Sequence, residues 1–173
     1  MRLFVALDLK EIKTEASRLK QLIKERGLNL TEGAHLTLKF LGETDESKAK
    51  KIVERLGCVR SEPFKIRTDS IGFFPNEKNP KVVWWGIEES PEVMRLHEAI
   101  ETALAEFGFR NDFRFHPHIT LARVKFLQDK KKFLEKVRRL KPETNEVRVD
   151  RFILFKSTLT PEGPVYDVVE EFG

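Results

Sequence analysis

The sequence predicts an α+β fold, and three observations carry that prediction. Short β-prone runs rich in Val, Ile, Leu and Phe alternate with longer charged segments whose apolar residues recur at helical spacing. The connections are short and contain Gly, Pro or Asn. The tetrapeptide His-x-Thr-Leu occurs twice, as His35-Leu36-Thr37-Leu38 and His118-Ile119-Thr120-Leu121, about half a chain apart and each time inside a β-prone run. The order of predicted elements shows an approximate echo between the two halves, although residue identity outside the tetrads is low.

Met1 to Leu9 reads as a buried strand. Lys10 to Arg26 follows as a helix with Ile12, Ala16, Leu19 and Ile23 on one stripe and Gly27 as its stop. The first tetrad strand runs from Ala34 to Leu41. Thr44 is expected to cap a second helix carrying Asp45 and Glu46 in its first turn, and Gly57 ends it. Pro63 to Phe74 and Lys81 to Ile87 read as strands joined by a Pro- and Asn-containing loop. Ser90-Pro91 opens a third helix, with Val93, Ile100, Leu104 and Phe107 inward and Gly108 at its end. The second tetrad strand comes next. Asp129 to Leu140 is a short amphipathic helix burying Phe133, Val137 and Leu140. Glu146 to Lys156 and Val165 to Phe172 close the chain as strands.

At 173 residues the chain fits one domain, or two small lobes sharing a core. A 40% hydrophobic content supplies a real core, and the 35% of charged residues covers the surface. The net charge of +4 and the pI near 9.2 are compatible with an anionic partner. A lone Cys58 excludes an internal disulfide framework and fits a reducing compartment. Arg2 is followed by an apolar run that Asp8 interrupts, too short for a signal sequence, and no segment approaches membrane-spanning length. A cytoplasmic protein is expected. Two glutamines and five asparagines beside abundant Lys and Glu match a thermophile composition.

In a strand, residues i and i+2 share a face. His35 and Thr37 therefore stand together, as do His118 and Thr120, while Leu36, Leu38, Ile119 and Leu121 point into a core. Imidazole titrates near neutrality, so a pair can hold one acid and one base at once. Threonine hydroxyls can donate to non-bridging phosphate oxygens. Two imidazoles with two hydroxyls suit acid–base cleavage of a phosphodiester without a metal. A single His-x-Thr is more often a half-buried strand position than a site, but the matched pair reverses that balance.

At these residues the sequence resembles the two-histidine phosphoesterase superfamily, and within it the RNA 2′,3′-cyclic phosphodiesterases, also named 2′-5′ RNA ligases. The likeness covers nearly the whole chain. Arg2 to Leu7 resembles the family's opening strand, and His35 to Glu43 (HLTLKFLGE) its first motif. Phe73-Phe74-Pro75 with Lys81 to Gly86 resembles its middle segment, and His116 to Arg123 (HPHITLAR) its second motif. Ser157 to Leu159 and Pro161 to Tyr166 resemble its closing segment. A tryptophan and a proline usual before the first motif are missing from Asn29 to Ala34. The resemblance implies a bilobal, pseudo-symmetric domain spanning residues 1–173, with antiparallel sheets lining a central cleft and helices outside. It implies hydrolysis of RNA or nucleotide 2′,3′-cyclic phosphate ends to 2′-phosphates, with His35 as proton donor, His118 as proton acceptor, and reversal as 2′-5′ ligation. No cofactor, no metal and no membrane partner are implied, and a monomer is expected.

Around the tetrads, Arg123 follows Thr120 by three residues; its guanidinium suits bidentate phosphate binding and stabilisation of a five-coordinate transition state. Thr37, Thr120 and Arg123 are thus the candidate phosphate ligands. Lys39 is expected on the face of His35 and Thr37. His116 is read as packing rather than as half of a His-x-His metal site, because no acidic cluster is nearby. His97 is read as a helix-boundary residue without chemistry. Trp84 and Trp85 must face opposite ways, one toward the core. Phe40, Phe73, Phe74 and Tyr166 are candidates for stacking on a base. Three alternatives stand beside this reading: a phosphodiesterase for another cyclic or 2′-5′-linked nucleotide, a non-catalytic RNA-binding module, and a metal hydrolase centred on His116 and His118.

Overall fold

The structure, a computed structural model, describes residues 1–173. In chain order it contains β1 (Arg2–Asp8), α1 (Lys13–Ile23), β2 (Leu28–Leu30), β3 (His35–Glu43), α2 (Glu46–Leu56), β4 (Phe64–Phe74), β5 (Val82–Ile87), α3 (Pro91–Ala103), β6 (His118–Val124), α4 (Lys130–Arg138), β7 (Glu146–Val149), β8 (Phe152–Thr160) and β9 (Gly163–Phe172). Helix starts are set by side-chain caps: Asp45, Ser90 and Asp129 accept from the backbone N–H of Lys48, Val93 and Lys132. Asp45, not Thr44, is therefore the cap of α2. The Thr44 N–H instead donates to the Met1 carbonyl at 2.8 Å, tying strand end to chain start.

Three other expectations shift. The first helix ends at Ile23 rather than Arg26, because Lys24 turns to extended backbone (φ −53°, ψ 125°). Gly27, at φ +93°, then turns the chain into the short β2, which has no sequence period of its own; a Cβ there would collide with the Phe126 carbonyl oxygen. The run from Glu146 to Lys156 is two strands, divided at Asp150–Arg151, and they pair in opposite halves of the molecule.

All strand pairs are antiparallel, in the order β7-β4-β5-β6-β3-β1-β8-β9, with β2 beside β6. The two halves implied by the resemblance are thus joined edge to edge. Each has a tetrad strand innermost and three partners outward: β3 with β1, β8 and β9, and β6 with β5, β4 and β7. The helices cross between halves, α1 packing against β6 and α3 against β3. Between sheet and helices lies one apolar core that includes Leu36, Ile119, Leu121, Trp85, Leu19 and Ile100, all fully buried. A smaller cluster of Phe4, Ala6, Ile153 and Phe155, with Tyr166 against it, occupies the other face of β1 and β8.

Candidate active site

The two tetrad strands meet at one register pair, Leu36 opposite Ile119. Each of these follows its tetrad histidine, so the local two-fold axis of an antiparallel pair exchanges the two motifs. Carried one residue either way, the register sets His35 across from Thr120 and Thr37 across from His118. Leu36 and Ile119 point to the core, and all four polar side chains share the opposite, helix-free face at intermediate exposure.

Both strands then bulge at the fourth tetrad position. On β3, Val5 pairs with Lys39 and Ala6 with Thr37, which leaves Leu38 extra. On β6, Val83 pairs with Ala122 and Trp84 with Thr120, which leaves Leu121 extra. The extra residue reverses the alternation beyond it. Leu38 and Lys39 are both buried and Phe40 emerges on the site face; Leu121 and Ala122 are both buried and Arg123 emerges there. Arg123 thus joins His118 and Thr120 although strict alternation would have turned it away. Lys39 does the reverse and does not share the face of His35. Its ammonium meets Glu101 at 2.6 Å and the Arg110 carbonyl at 3.2 Å on the far side of the strand.

The histidines have different partners. His118 Nδ1 lies 2.7 Å from the His116 carbonyl oxygen. A carbonyl only accepts, so Nδ1 carries the proton and Nε2 keeps its lone pair. The ring stands edge-on to Phe74 at 4.8 Å. Burial pulls the pKa of His118 below the ordinary imidazole value; the His116 carbonyl opposes this, while the charges of His116 and Arg123 add to it.

His35 faces a carboxylate. Its Nε2 is 3.6 Å from Asp8 Oδ1, and both side chains are about 15% exposed (16% and 15%). Its pKa is also lowered, first by burial, against which Asp8 acts to keep the ring charged; Lys20 and Lys13 push it further down. The ring stands edge-on to Phe155 and Tyr166. Gly33, at φ +63°, backs it so closely that a Cβ would overlap the imidazole Cε1. The Gly33 carbonyl accepts from Lys20 Nζ at 2.5 Å, and burial of that lysine brings its pKa down to about 8. Here, where the family's tryptophan and proline are missing, a glycine and a buried lysine shape the approach to His35.

Two hollows flank the tetrads and share Thr37 and Phe40. The one beside His35, about 280 Å³, is walled by Arg2, Phe4, Thr120, Arg123 and Tyr166. The one beside His118, about 850 Å³, is bounded by Phe74 and the segment from Arg110 to His116.

The 2′-5′ RNA ligase superfamily model matches residues 9–160. The chain belongs to that superfamily. Among its relatives, a Thermotoga maritima protein named RNA 2′,3′-cyclic phosphodiesterase is 41% identical over 99% of this chain and 94% of its own length. A Methanocaldococcus jannaschii protein of the same name is 37% identical over 99% of this chain and all of its own. Among solved structures, TT0787 of Thermus thermophilus superposes with a TM-score of 0.82 at 32% identity, covering 99% of this chain and 97% of that one. Escherichia coli LigT complexed with 3′-AMP gives 0.79 at 26% identity, covering 98% and 95%.

Within this superfamily member the remaining candidates separate cleanly. Trp85 is the core tryptophan, with Nε1 donating to the Asp69 carbonyl at 2.9 Å. Trp84 lies on the site face beside the His116 and His118 rings. Phe73 is buried in the core and drops out of the stacking candidates, whereas Phe40 is 64% exposed. His116 is exposed, but its ring packs against Trp84 at 5.0 Å and Phe74 at 5.6 Å as a packing residue would, and its backbone carbonyl is what orients His118. His97 is buried rather than at a boundary: its ring stacks on Phe115 at 3.9 Å and Nδ1 faces the Leu38 carbonyl at 3.0 Å. No group of three or more His, Cys, Asp or Glu side chains is gathered to hold a metal ion. Sequence reading missed Asp8 and Gly33; both act on His35 from other parts of the chain.

Proposed function

We propose that this chain hydrolyses the 2′,3′-cyclic phosphate end of RNA, or of a nucleotide, to a 2′-phosphate, using the whole chain as one domain. The observation that supports it most is the two-fold pair of His-Thr motifs on one open face, with the imidazoles held in unlike settings. The names of the relatives point to the same substrate. His118, with Nε2 free as a lone pair, takes a proton from water. The hydroxide oxygen bonds to phosphorus as the bond to the 3′ oxygen breaks. His35, whose charged form Asp8 favours, gives its proton to that 3′ oxygen. Thr37, Thr120 and Arg123 hold the non-bridging oxygens as charge builds on them.

The deciding assay gives the protein an oligonucleotide ending in a 2′,3′-cyclic phosphate, in excess chelator, and determines the position of the product phosphate. A 2′-phosphate at undiminished rate is expected. Activity that disappears on chelation and returns with zinc or manganese would shift the chemistry to His116 and His118 as metal ligands.

The pH dependence carries a second expectation. His118 must be neutral, so activity rises as pH climbs through its pKa. His35 must be protonated, so activity falls as pH climbs through its own. Both values are pulled below the ordinary imidazole range, and the bell of kcat/KM is therefore displaced toward acid. Asp8→Asn removes a charge that favours imidazolium and should move the falling limb to still lower pH while the rising limb stays. Movement of the rising limb alone would tie Asp8 to the other histidine.

Gly33→Ala tests positioning. A Cβ there overlaps the His35 ring, and displacing a catalytic group by an ångström costs on the order of 10²-fold in rate. The left-handed backbone at Gly33 adds a stability cost of about 1–2 kcal/mol, so turnover is compared on the folded fraction, where a loss of about that extent is expected; wild-type turnover would show that the His35 ring position is not constrained from this side.

A further inference from the structure

Helix α1 buries an ammonium where its inward stripe calls for an apolar side chain. Ala16, Leu19, Lys20 and Ile23 lie on the buried face, and Lys20 is only 5% exposed. Lysine is rarely buried to that degree unless a partner offsets the lost hydration. The partner here is a backbone carbonyl and not a carboxylate: Nζ donates to the Gly33 oxygen at 2.5 Å. One neutral acceptor offsets only part of the cost of burying an ammonium, and such groups concentrate at functional sites. What Lys20 stands beside is the proton donor. A Cβ on Gly33 would overlap Cε1 of the His35 imidazole, so the ring rests directly on the Gly33 backbone, which α1 fastens from behind. Lys20 takes no part in the wall of the 280 Å³ hollow beside His35. It opens on a neighbouring hollow of about 400 Å³, with Lys13, Glu32 and Gly33. It therefore reaches the site only through Gly33 and through its charge.

We propose that Lys20 is a positioning residue for His35: its ammonium clamps Gly33 against the imidazole and sets a fixed positive charge behind the ring. This rests on the function proposed above, in which His35 gives its proton to the 3′ oxygen. The groups facing His35 are Asp8 from β1, Lys13 and Lys20 from α1, Glu32 from the loop before β3, Tyr166 from β9, and Arg2 and Arg123 across the hollow. Burial is the chief cause that lowers the pKa of His35; Asp8 and the Glu32 backbone oppose it, and Lys20 and Lys13 add to it. Asp8 thus keeps the ring protonated, while Lys20 makes it a readier donor.

Lys20 itself faces Glu32 and Lys13, and burial brings its pKa down to about 8. Both limbs of the activity bell are drawn below the ordinary imidazole range, so Lys20 is charged wherever the enzyme turns over.

The test compares Lys20→Met, which keeps the length but loses the hydrogen bond and the charge, with Lys20→Arg, which keeps the charge and a donor. Lys20→Met should lower kcat roughly tenfold with KM within about twofold, a smaller loss than a full ångström of misplacement brings. The falling limb of its kcat/KM profile should move to higher pH, opposite in sign to Asp8→Asn. Lys20→Arg should return that limb to its wild-type position and restore most of the turnover. The His35 ring, followed by NMR, reports on the same contact without substrate. Its titration should move up in Lys20→Met. In the wild-type protein, which needs no variant to fold, its resonances should carry a second, smaller inflection where the Lys20 Cε resonance titrates, at about pH 8. A His35 titration that stays in place in Lys20→Met would overturn the proposal, even if turnover or stability had fallen, because Lys20 would then only fasten α1 to the loop. So would a wild-type Lys20 that titrates with no response from His35. A His35 that responds to Lys20 in a protein that hydrolyses no cyclic phosphate would sink the proposed function and leave the clamp standing.

Discussion

Replacing His118 or His35 by alanine is expected to lower turnover by roughly 10²–10⁴, the range for a positioned acid or base. The two losses should not multiply in the double variant, because in the proposed mechanism proton removal and proton donation belong to one displacement. Neither imidazole is in the apolar core, and the residues that alternate with them, Leu36 and Ile119, carry the packing. The melting behaviour should therefore change little. The pH profiles separate the roles. Without His118 the rising limb of kcat/KM should vanish and the falling limb remain; without His35 the reverse should hold. If each variant loses the other limb, the donor and acceptor are exchanged, and neither the His116 carbonyl nor the Asp8 carboxylate sets the roles. Near-full turnover in either variant would remove two-histidine catalysis altogether.

That assignment draws on features of unequal visibility in the sequence. The tetrads were legible because a repeated four-residue pattern in two β-prone runs is unlikely to be incidental, and because period-two alternation places histidine and threonine together. The helices were legible from their stripes: Ile12, Ala16, Leu19 and Ile23 are all buried as expected. The bulges were not. A strand that gains one residue shows no compositional mark, since HLTLKF and HITLAR both read as ordinary alternation followed by a basic residue or an aromatic. Yet the bulges decide which side chains reach the site, sending Lys39 away and bringing Arg123 in. Asp8 escaped notice for a different reason. Its pairing with His35 is a cross-strand relation between β1 and β3, fixed by register and not by sequence spacing. β2 is only three residues long and is stabilised by pairing with β6, so its sequence offered too little to read. The break at Asp150–Arg151 is likewise a topological fact, where the chain leaves one half of the sheet for the other.

Arg123→Ala is expected to cost on the order of 10²-fold in kcat/KM, because the bulge at Leu121 puts this side chain at the site. That bulge lifts an exposed guanidinium onto the face that carries Thr120 and beside the hollow where the phosphate would sit. A hydrogen bond between charged groups contributes about 1.5–3 kcal/mol, more than a hydroxyl donor supplies, so Thr37→Ala and Thr120→Ala should each cost less. Arg123→Lys keeps the charge but loses the planar fork, and it should fall between alanine and wild type. Affinity for a 2′-phosphate product should weaken in the same order, which separates phosphate binding from a general disturbance of the strand. Should Arg123→Ala match wild type in both assays, the guanidinium is only a solvated group near the strand end. Lys39 could not then take its place, because it is buried against Glu101 on the other side of β3. The cation left on the site face of that hollow is Arg2, exposed at the start of β1, and the phosphate site would have to be rebuilt around it.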